Sequence, residues 1–469
     1  MEKNIKRLIW VYAILLIFEG SLRKWVLPSL ADPLLVIRDP VVAIIYLMAF
    51  SSGRFPFNGF VIFSGLLAFG AGVASLIAGQ TNLLVILYGI RIDFFHLPLI
   101  WIIAEVMNRR EIEKLCTFLL FIAIPMTLLM VWQFQSPMNA PINRGVGSEE
   151  GGQIFGANGK IRPPGFFSFI TGPQLFFPLV AAIFLHQVSQ RRRLWWPVLV
   201  GCGLAILVAL PVSISRTVAL GTGITVATFV ATLPLTGLAS FGAIFRAAIG
   251  LGVVTVAVSF LPIFHQGIEV FMSRWETAAA GSGGDAWGSI IGRISGVVTV
   301  PFQNAMMSPF FGFGIGVGSN VGARLLQGRL GFFLAEDEWS KIFMELGPVL
   351  GGAFIFLRLT ITVYLGWKAF RTLLVHSDNL AILLFSATFV AVAQYQWAPP
   401  TILGFAVLGA GLTLGAAQHP LGEEDDDDDE EDEDAEDSEE EPDEEEEREP
   451  HPAHRHQHPH SRRPPEHVT

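Results

Sequence analysis

Residues 194–237 read LWWPVLVGCGLAILVALPVSISRTVALGTGITVATFVATLPLTG. Two apolar segments, 194–214 and 217–237, each have the length a bilayer demands, and they meet at Ser213-Ile214-Ser215-Arg216-Thr217. An arginine at that junction is expensive, since a charge near hydrocarbon costs ~2.5–3.5 kcal/mol even on permissive insertion scales. The cost is usually tolerated only where the charge meets an anion, a water-filled cavity or a substrate. Pro211 loosens the end of the first segment, and Ser213 and Ser215 set hydroxyls beside the guanidinium. A planar guanidinium binds phosphate oxygens bidentately and cannot be deprotonated. The plainer alternative is an interfacial arginine reaching toward lipid headgroups.

The rest of the chain repeats this pattern. Hydrophobic residues make up 51% of 469 positions and the mean hydropathy is +0.50, beyond what soluble globular chains show. The apolar residues fall in blocks of span length, which predicts an all-α polytopic membrane protein with about twelve transmembrane helices. They centre on residues 8–20, 34–50, 58–79, 83–105, 112–133, 166–187, 194–214, 217–237, 244–264, 343–365, 379–397 and 401–417. Cys116 and Cys202 sit inside apolar runs and read as small buried hydrophobes. No cleavable signal precedes the first run, so that run is expected to stay as a helix.

Charge divides the chain. Between Glu423 and Glu449, 23 of 27 residues are acidic. The tail beyond 418 holds 24 of the 42 acids and four of the 31 bases, so the membrane body carries about nine more bases than acids. Residues 1–418 are therefore expected to form the bundle, and 419–469 a disordered acidic, His/Pro-rich cytoplasmic tail. Basic clusters at Lys3/Lys6/Arg7, Arg109/Arg110/Lys114, Arg191–Arg193 and Lys368/Arg371 fall on one predicted side. The positive-inside bias makes that side cytoplasmic and places both termini there. Outer loops are then expected at 134–165 and 265–342. The second is rich in glycine, with Gly312, Gly314, Gly316 and Gly318 alternating, and a loop so long in a compact protein is usually functional.

Further candidate residues lie on or near these loops. Arg162, Arg274, Arg293 and Arg324 put cations on the outer side, against the usual sidedness; long loops, however, translocate regardless of charge. The acidic run Glu336-Asp337-Glu338 precedes the helix at 343–365 and offers either a base for a hydroxyl or an N-terminal cap. Glu345 inside that helix is costly unless partnered. Arg38-Asp39 and Arg91-Ile92-Asp93 place opposite charges within spans. Neighbouring residues do not face each other on a helix, so a cross-helix pair such as Arg38 with Asp93 is expected, as architectural glue or as a substrate contact. Phosphate-loop, zinc-site and nucleophile-elbow motifs are missing, and so is an acidic pair in an outer loop to hold a metal. Neither a cofactor nor a metal is expected, and no nucleic-acid partner.

Certain patches carry a resemblance. Phe18-Glu19-Gly20-Ser21-Leu22-Arg23-Lys24-Trp25 with Arg38-Asp39-Pro40, Arg216-Thr217-Val218-Ala219-Leu220, and the long loop leading into Glu345-Leu346-Gly347-Pro348-Val349-Leu350-Gly351 together resemble the O-antigen ligase and polymerase-like bacterial membrane proteins associated with exopolysaccharide. The ligases carry a histidine eleven positions before the glycine that corresponds to Gly347; here Glu336 stands there, where polymerases often have arginine. The resemblance implies a metal-independent glycosyltransferase in the bacterial inner membrane, polymerising or ligating polyprenyl-diphosphate-linked glycans on its outer face. Arg216, Glu336 and Arg293 would be catalytic. Arg162, Arg38, Arg91, Asp93, Arg274 and Arg324 would bind substrate. The partners would be that lipid-linked glycan, a glycan or lipid acceptor, membrane lipids and other polysaccharide assembly proteins. The leading alternative is a secondary transporter or flippase of an anionic solute or lipid-linked sugar, and a third reading is a scaffold in an export complex.

Overall fold

The computed structural model describes residues 1–146, 155–190, 194–236, 262–280, 296, 299–328, 334–335 and 337–421. The described chain is mostly helical. The expected span at 244–264 falls almost wholly outside these residues, as do the acidic tail, Arg293 and Glu336. Helices occupy the other predicted spans. They are α1 (Glu2–Ser21), α2 (Arg38–Ser51), α3 (Gly59–Ile77), α4 (Leu83–Ile90), α5 (Leu99–Val106), α6 (Arg109–Gln135), α7 (Thr171–Ser189), α8 (Trp196–Val212) and α9 (Arg216–Thr232), then α10 (Pro262–Ala280), α11 (Asn320–Gln327), α12 (Glu338–His376), α13 (Leu380–Ala393) and α14 (Pro400–Gln418). One small hairpin, β1 (Phe155–Ala157) with β2 (Lys160–Ile161), interrupts them. Among the described residues seven helical stretches are long and apolar enough to cross a membrane, with α4 and α5 counted together.

Helix α14 lies at the centre. It is apolar on all faces and 89% of its most apolar 18 residues are buried, as a helix without a polar stripe requires. Its small residues let neighbours approach closely: Gly411 abuts Ile103 of α5 and Gly409 abuts Thr388 of α13. The stretch Pro33–Ser51, which contains α2, and helix α3 lie at the edge, with only 28% and 33% of their most apolar 18 residues buried. Leu47, Phe63, Leu66 and Phe69 stay exposed there, an apolar surface of the kind that marks contact with lipid.

Of the basic clusters, those around Lys6 and Arg109 gather at one end of the bundle, while Arg191–Arg193 lie outside the described residues. Lys6 of α1 pairs with Glu111 of α6 at 2.9 Å, and Asn108 with Glu111 builds a capping box at the start of α6. Arg109 pairs with Glu113 at 2.7 Å and with Asp378, between α12 and α13, at 2.5 Å. His186 Nδ1 lies 2.7 Å from Asn379 Oδ1. The helices therefore meet here through a buried polar clamp rather than through apolar packing alone. Burial opposes ionisation of Asp378, yet Arg109 beside it, helped by His186 and the Leu380 N–H, holds its carboxyl below the usual carboxylate range. A depressed folded value adds stability that is present above the unfolded value of about 3.9 and lost as pH falls through the folded one. The thermal stability of the purified protein should accordingly fall below about pH 4, and Asp378→Asn should remove that acid sensitivity while lowering stability at pH 7.

Candidate functional site

The opposite end of the bundle holds two buried charge clusters. The first starts from a break in the fourth span. Pro98 has no backbone N–H, and the helix stops short of it in a π-helical turn, Arg91–Phe95. Helical residues two apart point some 200° away from each other, so Arg91 and Asp93 leave this turn in different directions. Arg91 meets Asp39 of α2 in a two-point ion pair, Nε to Oδ2 at 2.7 Å and Nη2 to Oδ1 at 2.9 Å. His96 Nε2 lies 2.9 Å from the same Oδ1, and its Nδ1 lies 3.2 Å from the Tyr12 hydroxyl of α1. Arg38, next to Asp39, turns instead to Glu19 of α1, with Nε 3.4 Å from Oε2, and donates to the Pro400 carbonyl at the head of α14. Arg23 reaches Glu19 at 3.4 Å and the Ala31 carbonyl at 2.8 Å.

Arg38 and Asp93, the cross-helix pair expected from the sequence, are thus not partners: each belongs to a different cluster. The first cluster holds three guanidinium groups against two carboxylates. Lys24, which burial pushes down to about 7, donates to the Gly165 carbonyl at 2.9 Å. Arg38 Nε and Nη1 and Arg91 Nη1 are buried without a hydrogen-bond partner among the described residues; the Nε contact with Glu19 is close but poorly aligned for a hydrogen bond. Gly404 of α14 makes room for Arg38, since a Cβ there would lie 2.0 Å from Nη1. Beside Arg91, residues Ile90, Phe94 and Phe95 form one wall of an apolar groove of about 400 Å³ between α2 and α3. Exposed Phe57 and Ile62 line its mouth.

The second cluster depends on Gly347. It adopts φ 77°, ψ 175°, a region that only glycine enters without strain. Helix α12 breaks there and folds back on itself. A straight helix would hold residues 338 and 358 about 30 Å apart, yet Glu338 Oε1 lies 2.9 Å from Arg358 Nη1. Lys341 lies 2.9 Å from Glu338 Oε2. Arg358 also donates to the Val392 carbonyl at 2.9 Å and the Tyr395 carbonyl at 2.7 Å. It thereby satisfies carbonyls left open at the end of α13, and it stacks 4.1 Å from the Trp397 ring. Of the acidic run, Asp337 is the cap, accepting from Ser340 N at 2.9 Å, whereas Glu338 is a buried ion-pair partner. Sequence reasoning missed Glu338, Lys341 and Arg358 as one unit; their spacing suggests proximity only once a helix break is placed at Gly347-Pro348.

The alternating glycines explain themselves here. Gly312, at φ +69°, would press a Cβ within 2.2 Å of the Glu345 carbonyl, and Gly316, at φ +87°, within 2.3 Å of the Val85 carbonyl. The loop they belong to threads between α4 and the folded-back half of α12. Ser75 accepts from Ile315 N at 2.8 Å, and Glu345 accepts from Gly318 N at 2.6 Å. Glu345 thus has the partner its position demanded. Asp93 lies within electrostatic range of Lys341, Glu338, Glu345 and Arg358.

The remaining candidates scatter. Arg216 starts α9 half-buried, next to Ser215, which accepts from Gln174 of α7 at 3.1 Å. Arg162 follows β2, with its Nε buried and unbonded among the described residues. Arg324 pairs with Asp32 at 2.5 Å with both side chains over half exposed, a surface contact worth roughly 0–1 kcal/mol. Arg274 lies in α10. Among the described residues no group of His, Cys, Asp and Glu is arranged to hold a metal. No family model, curated protein or solved structure matches the chain.

Gly347→Ala should lower the unfolding free energy by about 1–3 kcal/mol, because a Cβ would also sit 2.1 Å from the Phe310 carbonyl. Gly59→Ala, which meets nothing within 4 Å, should be neutral. Denaturant titration of the two purified variants in detergent checks both.

Proposed function

We propose that this protein is a membrane glycosyltransferase, polymerising or ligating polyprenyl-diphosphate-linked glycans on the outer face of a bacterial inner membrane. The observation that carries the reading is the first cluster. Its guanidinium groups outnumber its carboxylates, and buried donors on Arg38 and Arg91 lack partners among the described residues. A diphosphate supplies both the charge and the acceptors that these donors want. The adjoining apolar groove suits an isoprenoid chain attached to it. As the glycosidic bond breaks, negative charge grows on the leaving diphosphate, and fixed guanidinium groups in a water-poor setting stabilise it without reorganising. Arg216 and Arg162, outside this cluster, would extend the cationic surface toward the glycan. The acceptor hydroxyl attacks the anomeric carbon and passes its proton to a base, the role expected of Glu336. Twelve spans, with both termini cytoplasmic, belong to the same reading, as does the kinship with O-antigen ligases and polymerases.

The break in α12 at Gly347 and the π-helical turn at Arg91–Phe95 favour a second reading, transport of an anionic solute or lipid-linked sugar, because transporters place discontinuous helices around their sites.

Deleting the gene and analysing lipid-linked glycans separates the possibilities. Accumulated single repeat units without long polymer mark a polymerase, and long lipid-linked chains that never reach an acceptor mark a ligase. Unchanged glycans, together with solute uptake by proteoliposomes, would overturn the enzyme in favour of the transporter. Complementing the deletion with Arg91→Gln or Arg216→Ala should cut product formation ~10²–10³-fold, the usual effect of losing one electrostatic stabiliser.

A further inference from the structure

The second cluster is a closed set of fixed charges with one left over. Its carboxylates are Asp93, Glu338 and Glu345 and its cations Lys341 and Arg358, and none is more than 2% exposed. Glu338 engages both cations, at 2.9 Å each. Glu345 accepts the Gly318 N–H. Asp93 is the odd member: its Oδ1 and Glu338 Oε2 are both buried without a hydrogen bond from the described residues, but Glu338 Oε2 has Lys341 at 2.9 Å, whereas Asp93 has no ion-pair partner among those residues.

Among the described residues the surroundings offer nothing else to balance it. Helix α3, packed against the Arg91–Phe95 turn, contains no charged residue, and neither does the loop 310–319. Tyr88 of α4 stacks on Arg91 rather than on Asp93. On Asp93's own turn, Arg91 is committed to Asp39, and His96 lies against that same carboxylate. From α12 come Lys341, Glu338, Glu345 and Arg358, all within electrostatic reach. An uncompensated charge this deeply buried costs several kcal/mol, whereas a bound proton abolishes it.

We propose that this cluster is a proton-binding site in which Asp93 carries the one proton that balances three carboxylates against two cations. The exchange is simple: a proton from water adds to the Asp93 carboxylate, and its departure to water leaves the group ionised within electrostatic range of Lys341. The site does not depend on the glycosyltransferase reading. It would serve equally a reaction that sheds a proton and a transport cycle that consumes one.

The test uses the full-length protein in lipid nanodiscs, read by infrared spectroscopy at neutral pH. A protonated-carboxyl band is expected in the wild type. It should move when aspartate carboxyl carbons carry a heavy isotope, vanish in Asp93→Asn and persist in Asp39→Asn. Titration from neutral to alkaline pH should release one proton fewer from Asp93→Asn than from the wild type. If Asp93→Asn does not fold, the isotope measurement on the wild type still decides. A missing band, or one that labelled aspartate leaves in place, overturns the proposal, the second result by placing the proton on a glutamate.

Discussion

The ion pair between Glu338 and Arg358 governs the arrangement of this molecule's charged end. Both side chains are fully buried, and removing either partner of such a pair leaves a charge whose cost the interior cannot absorb. The pair forms only because Gly347 turns α12 back on itself, and it endures because Arg358 meanwhile caps α13. A single guanidinium joins three structural facts: the helix break, the end of α13 and the seat of Trp397. The glycine loop 310–319 then has little freedom, since its N–H groups bond to Met344, Glu345 and Ser75 and Gly312 and Gly316 lie against the backbone of Glu345 and Val85.

The two charge clusters face opposite electrical problems. Around Arg38 and Arg91 the surplus is positive, and N–H donors await acceptors. Around Asp93 it is negative until a proton balances it, and among the described residues Asp93 Oδ1 receives no hydrogen bond. They arise from neighbouring positions on the same π-helical turn, which sends Arg91 one way and Asp93 the other. Such a turn inside a span is costly in lipid, where every backbone group must find a partner within the protein. Its presence fits a site where charge is managed for a purpose rather than merely tolerated. A bundle held by Leu, Ile and Phe alone would need none of these groups.

Much of the fold could be read from the order of residues. Apolar runs of span length must be helices in a bilayer because no other open structure satisfies their backbone there, and those from 8–20 to 401–417 fall on helices wherever the chain is described. The grouping of Lys6, Arg109 and their neighbours at one end followed from charge placement alone. So did the burial of Cys116 and Cys202, and the need for a partner to Glu345. What the order of residues could not give was pairing. Arg38, Asp39, Arg91 and Asp93 were all legible as costly intramembrane charges, but which would meet depended on a π-turn and on the angle between helices. The meeting of Glu338 with Arg358, twenty positions apart, depended on one glycine entering a backbone region closed to other residues. Local sequence sets which groups must be buried and satisfied; only the three-dimensional path of the chain chooses their partners, because ion pairs act over a few ångströms and that distance is fixed by tertiary packing.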